Sequence, residues 1–311
     1  NEYKACYQAF WTAMQEEGKK RGWPEMLVQP IDEPGWRSQY DRELNLTLLK
    51  YLKEIPGQRT EQDGPGDDYF INQAGPWADM WNFNGAFGNA DVMARVAREN
   101  RLATLYNCDV ESYRPEVGRY VTGFFQARSG SQGHFNWAFM SGNSNPYDDF
   151  DAETGDFSHI YPRTATEPGG PSIGWYGVRE GIDDYKYLTT LRNLIDRKKN
   201  GSPVEQAQAK EATATIDALL ATLRYSPRIR NTASFVNINS PDGTRGITGV
   251  LKLPNDWSFQ HYDQARAILI AQIMALRDNK ATPTATAAPK LAVTPLPPPV
   301  VKDTAPQSQF Q

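Results

Sequence analysis

Two adjacent carboxylates, Asp32 and Glu33, are the side chains of this sequence best placed to do chemistry. They follow a short apolar run at residues 26–28, and the next residue, Pro34, has no N–H group to donate to a sheet. Proline also disfavours helical geometry at the residue before it, so we expect an extended Glu33 at the end of a strand. Because neighbouring strand residues point to opposite faces, both acids can reach one substrate only where the strand ends. Catalytic side chains of (β/α) barrels lie at such strand ends, and the alternative is a turn with two solvated acids.

The elements around this pair alternate between strand and helix. Apolar residues at spacings of three and four predict helices at residues 3–21, 39–53, 90–100, 117–128 and 173–199. Short apolar and aromatic runs predict strands at residues 26–32, 58–62, 77–83, 102–108 and 133–140. Such an alternation with short connections is typical of a parallel sheet covered by helices.

The fold class that this alternation predicts is α/β, and the architecture is a (β/α)8 TIM barrel. A closed barrel of this type has eight strands, and we expect this chain to supply only the later ones, about the fourth to the eighth. Since a helix comes first, we expect about three strand–helix units upstream of Asn1. The alternative is a doubly wound sheet, although no glycine-rich phosphate loop follows any predicted strand.

The pattern divides the chain into three parts. Residues 1–200 form the predicted partial barrel, which is the catalytic domain. Residues 201–279 contain predicted helices at 204–224 and 261–277, so we expect a helical extension. Residues 280–311 are dominated by Pro, Thr and Ala, and this composition cannot bury a core. We therefore expect a disordered tail that proteases cut readily.

Composition and charge argue against several other classes of function. A net charge of −4 and a pI of about 5.6 leave no basic footprint for nucleic acid. Cys6 and Cys108 form neither a disulfide framework nor a zinc spacing, and the histidines are scattered, so we expect no metal and no cofactor. No apolar run is long enough to span a membrane. We expect a secreted, periplasmic or cell-surface protein whose signal lies upstream of Asn1, and the oligomeric state stays open.

Several short motifs resemble those of one known family, in the same order along the chain. The segment VREGIDDYKYL at 178–188 resembles the REGIEDYEYL helix of the bacterial domain of unknown function 4091, the C-terminal part of glycoside hydrolase family 123 and its relatives. Residues 31–34 resemble the DEP motif at the family's fourth strand. Further resemblances, in chain order, are 106–108 to YTC, 135–137 to LYW, 145–147 to NPW, 157–162 to GFLVYP and 171–173 to PSIR. The resemblance covers about residues 25–192, and Gly174 departs from it where the family commonly has Arg.

This resemblance implies a (β/α)8 barrel that hydrolyses glycosides of 2-acetamido sugars. Characterised members are similar to β-N-acetylgalactosaminidases and use the sugar's own acetamido oxygen as the nucleophile, an exception to the two-carboxylate scheme. Carried over by position, Glu33 is the general acid/base, and Asp32 orients the acetamido group and stabilises the cationic intermediate. Two adjacent carboxylates favour the protonated form of one of them, which suits an acid. The expected partner is a glycan or glycoconjugate substrate.

Polar and aromatic residues at the other strand ends are candidates for binding the sugar. Amide groups can bind hydroxyl groups, and aromatic rings can stack on a sugar face. The substrate-binding candidates are Trp81, Asn82, Tyr106, Asn107, Asn136 and Trp137. For the aromatic residues among them, the alternative is a place in the barrel core.

Other acids are weaker candidates. Asp63 and Asp79 lie near strand ends, but Asp63 opens a turn-rich stretch at residues 63–66 that already explains it. Three further acids fall in one long predicted loop, and we interpret them as solvated. They are Asp148, Asp149 and Asp151.

Alternatives to substrate-assisted hydrolysis stay open. Glu111, together with Asp109, follows the fourth predicted strand and is the rival nucleophile of a retaining glycosidase that forms a covalent adduct. A non-catalytic carbohydrate-binding barrel and a structural module of a larger surface protein are the alternatives from other classes. Galacto- and gluco-configured substrates differ at a single hydroxyl, and the sequence does not distinguish them.

Overall fold

The computed structural model describes residues 2–64, 66–84, 90–108, 115–137, 139–141, 147, 157–223 and 259–278. Its centre is a five-stranded sheet in which every neighbouring pair of strands is parallel. The strands are β1 (Leu27–Val28), β2 (Arg59–Gly64), β3 (Met80–Asn84), β4 (Leu102–Cys108) and β5 (Gly133–Trp137). They lie side by side in chain order, and the sheet curls into a half-barrel. A doubly wound sheet would reverse its order at a switch point, so the architecture is that of a partial TIM-like fold.

Helices pack against this sheet and against one another. They are α1 (Glu2–Arg21), α2 (Gln39–Lys53), α3 (Ala90–Arg98), α4, which runs through the segments Pro115–Arg119, Tyr120–Phe125 and Gln126–Ser129, α5 (Ile173–Lys198), α6 (Pro203–Ala221) and α7 (Phe259–Arg277). Serine side chains define three of the starts, and Ser172 caps α5 by accepting the N–H of Trp175. Ser38 caps α2 in a reciprocal capping box with Asp41, and Ser202 caps α6 in the same way with Glu205. Within the described part of the chain, no helix is both long enough and apolar enough to cross a membrane.

Short elements occupy the connections. A 3-10 turn (Pro34–Trp36) follows β1, and a π-helix (Tyr69–Ala74) and a second 3-10 turn (Gly75–Trp77) separate β2 from β3. Beyond β5 there are two small antiparallel pairs, β6 (Met140–Ser141) with β7 (Phe157–Ser158) and β8 (Ile160–Tyr161) with β9 (Gly170–Pro171).

The predicted strands are present, but several of their ends differ from the prediction. β3 begins at Met80 instead of residue 77, and β5 ends at Trp137 instead of residue 140. β1 stops at Val28 instead of running on to residue 32. β2 continues to Gly64, so the prediction that Asp63 stands in a turn is wrong. Asp63 pairs in register with Asn82 of β3, and this sheet pairing overrides the local turn preference of the glycines and prolines that follow. The predicted tail, residues 280–311, lies outside the described residues.

The two faces of the sheet differ in polarity. Trp81, Phe83 and Leu105 are fully buried on the face that packs against the helices. The alternation of side chains and the register of the strands place a set of polar residues on the opposite face. These residues are Glu61, Asp63, Asn82, Thr104 and Tyr106. In a barrel this opposite face is the inner one, and its carboxyl-terminal end is where active sites form.

The C-terminal helices belong to the same core as the sheet. Leu188 of α5, Ile216 of α6 and Leu269 of α7 join Trp81 in one cluster of buried apolar residues. α4 and α5 approach so closely that a Cβ atom at Gly181 would lie 2.1 Å from the Oγ1 atom of Thr122. The helix pair therefore requires a glycine at that position.

A buried ion cluster connects α4, α5 and α7. Asp184 is fully buried and accepts hydrogen bonds from Arg119 at 2.8 Å and from Arg266 at 2.5 Å. Arg119 reaches on to Asp263 at 2.9 Å, and Arg266 reaches Glu180 at 2.6 Å. Asp184 is the partner that both guanidinium groups share, so its removal would weaken the connection of α7 to α4 and α5, although Arg119 keeps Asp263 and Arg266 keeps Glu180.

Candidate active site

The loop that follows β1 carries the two predicted catalytic acids. Glu33 has φ 43° and ψ 54°, in the left-handed region, and the N–H of Trp36 donates to its carbonyl oxygen at 3.0 Å. The prediction of an extended Glu33 is therefore wrong, because the chain turns immediately into the 3-10 turn. Left-handed geometry costs a non-glycine residue about 1–2 kcal/mol, so other contacts must compensate for it.

Glu33 is held by contacts from two other strands. Its N–H donates to the Oδ1 atom of Asp63 at 2.8 Å, and its carboxylate accepts a hydrogen bond from the hydroxyl of Tyr106. Asp63 lies near the carboxyl end of β2, and Tyr106 lies near the carboxyl end of β4. The half-buried Glu33 therefore lies where the loop after β1 meets the carboxyl ends of β2 and β4.

Asp32 faces solvent beside it. Its side chain is 71% exposed, and Arg37 donates to its Oδ2 atom at 2.9 Å. An exposed ion pair of this kind contributes at most about 1 kcal/mol, so a ligand can replace the guanidinium at little cost. The pair therefore presents one accessible carboxylate next to one that is fixed in place.

Asp63 is the functional candidate that the sequence interpretation underrated. It is 6% exposed, and burial raises the pKa of its carboxyl group from 3.8 to about 7. The nearby charges of Asp32 and Glu33 raise this pKa further, while the hydrogen bond from the Glu33 N–H opposes the shift. The site therefore contains three carboxyl groups, and burial favours the protonated form of Asp63. A strand assignment that included residues 63 and 64 would have indicated this position.

Asp79 has a different environment. It precedes β3, at the opposite end of the sheet, and forms an ion pair with Lys53 at 2.6 Å. It also accepts the N–H of Thr60 at 2.8 Å. These contacts make it a structural residue that ties α2 to the sheet.

Two of the predicted sugar-binding residues use their polar groups in contacts within the protein. The amide of Asn82 donates to Glu61 at 3.3 Å, and its oxygen accepts from Thr104 at 2.9 Å. Asn136 contacts the Nε2 atom of His159, which is buried. Asn82 therefore lies on the same face as Asp63, whereas Asn136 is part of a contact with the segment that follows β7.

Trp81 does not join the site. It is fully buried on the other face of β3, where its ring packs against Phe70 and Phe83. Its indole N–H donates to the carbonyl oxygen of Gly75 at 3.2 Å. The sequence left open whether Trp81 binds sugar or belongs to the core, and its buried position agrees with the core.

Several predicted residues are described only in their main chain or not at all. Asn107 pairs in register with Asn136, and Trp137 pairs with Cys108, but the description does not extend to the side chains of Asn107 and Trp137. Five predicted acids lie outside the described residues, namely Asp109, Glu111, Asp148, Asp149 and Asp151.

A comparison with protein families identifies the chain. The family model described as "Glycoside hydrolase 123, catalytic domain" matches residues 1–191. This chain belongs to glycoside hydrolase family 123. The match includes Asp32, Glu33, Asp63 and Tyr106, so the convergence of strand ends lies within the family's catalytic domain.

A solved structure has a fold similar to that of this family 123 chain. It is a family 123 glycoside hydrolase from Clostridium perfringens, which was studied for glycolipid glycan hydrolysis, with a TM-score of 0.51 and 14% sequence identity. The similarity covers 90% of this chain and 44% of that one, so this chain spans less than half the length of its neighbour. No curated protein matches the chain.

Aromatic side chains that the sequence interpretation did not single out are exposed beyond the family 123 site. Phe135 of β5 pairs in register with Tyr106 and is 52% exposed. Tyr147 stacks on Tyr161 with ring centroids 5.1 Å apart. Because aromatic rings can bind a sugar face, Phe135 is a further surface where a substrate could stack.

In the described residues, no group of three or more His, Cys, Asp or Glu side chains could hold a metal ion.

Proposed function

We propose that this family 123 domain is a retaining glycoside hydrolase for terminal 2-acetamido sugars, similar to a β-N-acetylgalactosaminidase. The observation that supports the proposal is the pair itself, an exposed Asp32 beside a Glu33 that Tyr106 and Asp63 hold in place. Catalysis assisted by the acetamido group uses two neighbouring carboxylates, one as the general acid/base and one to orient the acetamido group. A glycosidase with a protein nucleophile has its two carboxyl groups about 5–5.5 Å apart across the scissile bond and does not require such a pair.

In the proposed mechanism the acetamido oxygen attacks the anomeric carbon while Glu33 donates its proton to the leaving oxygen. Asp32 orients the acetamido N–H and stabilises the positive charge of the bicyclic intermediate. Glu33 then takes a proton from the water that opens this intermediate, and the anomeric configuration is retained. The Tyr106 hydroxyl fixes the Glu33 carboxylate during both steps.

The proposal also assigns the strands. β1 to β5 correspond to the fourth to eighth strands of a (β/α)8 barrel, and the substrate lies at their carboxyl ends. Asn82, Tyr106 and Trp137 are the proposed sugar-binding residues. Trp81 is buried, and strand alternation places Asn107 and Asn136 on the same face as Leu105, so these three are no longer among them.

Substitution of the pair tests the proposal. Glu33→Gln should lower turnover by roughly 10²–10⁴-fold on substrates whose leaving group needs protonation, and much less on activated aryl glycosides. Asp32→Asn should slow N-acetyl substrates strongly, and a thiazoline mimic of the intermediate should inhibit tightly. The matched control is Glu43→Gln, which changes an exposed glutamate of α2 and should leave turnover unchanged.

The rival readings give different results in the same assays. If Glu111 is the nucleophile, Glu111→Gln is the inactive variant, a fluorosugar labels Glu111, and sugars without an acetamido group are good substrates. Binding of the glycan without turnover in the unmodified protein would instead indicate a carbohydrate-binding barrel. Either result would overturn the substrate-assisted proposal.

A further inference from the structure

We infer that Asp63 is a positioning residue for Glu33, because its carboxyl group holds the main chain in the conformation from which the Glu33 side chain reaches Tyr106. The inference rests on the proposed role of Glu33 as general acid/base. It concerns a residue whose own side chain is not expected to contact the substrate.

The first step of the argument is the conformation that must be held. Within the described part of the chain, only Glu33 and Asn100 are non-glycine residues with positive φ. A glutamate has no short side chain that can hydrogen-bond locally to stabilise the left-handed region, as an asparagine can. The surroundings of Glu33 must therefore supply the compensation.

The second step is the pair of bonds that fix the main chain of Glu33. On one side its N–H donates to Asp63 at 2.8 Å, and on the other side its carbonyl oxygen accepts from Trp36 at 3.0 Å. The Trp36 bond lies within the same loop and moves with it. The bond to Asp63, in contrast, connects the Glu33 main chain to a strand of the sheet.

The third step is the rigidity of the acceptor. Asp63 is 6% exposed and lies in β2, with Asn82 of the parallel neighbour β3 as its register partner. A short strand end with neighbours on its inner face has much less freedom than a surface loop. Burial of a carboxyl group beside two other acids is unfavourable, which is reflected in its raised pKa of about 7. An unfavourable position of this kind is typical of a functional site.

Two substitutions of Asp63 separate positioning from simple stability. Asp63→Asn keeps an acceptor oxygen at the same place, whereas Asp63→Ala removes it. A misplaced general acid matters most when the leaving group needs a proton, so the loss should depend on the leaving group. We expect Asp63→Ala to lose roughly 10–100-fold in kcat/KM, which reports the first chemical step, on an alkyl glycoside and less than about fivefold in kcat/KM on a dinitrophenyl glycoside. Asp63→Asn should stay within about fivefold of the unmodified protein on both substrates.

Asp79→Ala is the matched control, since Asp79 also accepts a backbone N–H at 2.8 Å but lies at the other end of the sheet. This substitution should lower the melting temperature and should affect both substrates equally. A loss in Asp63→Ala that is equal on both substrates would assign Asp63 a structural role and overturn the inference. An Asp63→Asn variant as impaired as Asp63→Ala would also overturn it, because the acceptor oxygen would then not be the feature that matters.

Hydrogen exchange at the Glu33 amide tests the inference without any turnover. The amide should exchange slowly in the unmodified protein and in Asp63→Asn, and at least about tenfold faster in Asp63→Ala. Slow exchange in Asp63→Ala would contradict the inference. If Glu33→Gln proves fully active, the proposed function fails, and the exchange rate still decides whether Asp63 holds the Glu33 main chain.

Discussion

The buried carboxyl group of Asp63 should make the stability of the protein depend on pH in a way that a single substitution removes. In the folded protein its pKa is raised to about 7, mainly by burial, from an ordinary value of 3.8. Between these two values the folded state holds a proton that the unfolded state has lost. The free energy of unfolding should therefore fall as pH rises through this range, by about 1.4 kcal/mol per pH unit, and level off above about pH 7. The total contribution is up to about 4 kcal/mol.

Asp63→Asn removes the titration while keeping the shape of the side chain. The free energy of unfolding of this variant, relative to that of the unmodified protein, should rise by up to about 4 kcal/mol between about pH 4 and pH 7. Above about pH 7 the difference should no longer change with pH. Urea unfolding at several pH values, followed by tryptophan fluorescence, measures the difference. The charge of Asp32 raises the pKa of Asp63. Asp32→Asn should therefore lower the pH above which the free energy of unfolding stops falling.

The control for this experiment is Asp79→Asn. Although burial opposes it, the ion pair with Lys53 and the Thr60 N–H hold the pKa of Asp79 below its ordinary value. The stability that Asp79 contributes is lost only as pH falls below about 4, so its substitution should give a pH-independent difference between pH 5 and pH 8. A pH-independent difference for Asp63→Asn as well would mean that Asp63 is ionised in the folded protein, and the reasoning from burial would be refuted.

Two further predictions concern the packing of the helices, and each has a matched control. Gly181→Ala would place a Cβ atom 2.1 Å from the Oγ1 atom of Thr122, so α4 and α5 must separate at a cost of about 1–3 kcal/mol. Gly18→Ala, whose Cβ would meet its neighbours at 3.4 Å, should be neutral or stabilise by up to about 1 kcal/mol in thermal unfolding. Asp184→Asn should cost about 1.5–3 kcal/mol in urea unfolding, because Arg119 and Arg266 lose their charge-assisted hydrogen bonds to the shared carboxylate and keep only Asp263 and Glu180 as ionic partners. Asp183→Asn removes only an exposed pair with a lysine and should cost less than about 1 kcal/mol, and equal losses in the two variants would contradict the assignment of the buried cluster.

Local sequence patterns were sufficient to predict the order of the helices and strands and the position of the acid pair. Helices such as α2 and strands such as β4 have the bounds that apolar spacing predicts, because their periodicity reflects one buried face. The position of Asp32 and Glu33 at the end of an apolar run was visible for the same reason. The motifs that resemble family 123 agreed with the family model that matches residues 1–191.

The contacts of the site depend on residues that are distant in the sequence. Glu33 and Tyr106 meet only because the sheet curls, so neither the hydrogen bond between them nor the left-handed backbone of Glu33 follows from the local sequence. Asp63 resembled a turn residue because glycine and proline follow it, and only its pairing with β3 shows that it is a buried strand residue. Trp81 and Tyr106 both looked like sugar-binding aromatics, but strand alternation sends them to opposite faces. One therefore packs in the core while the other contacts Glu33, since the face to which a strand residue points is fixed by register within the sheet.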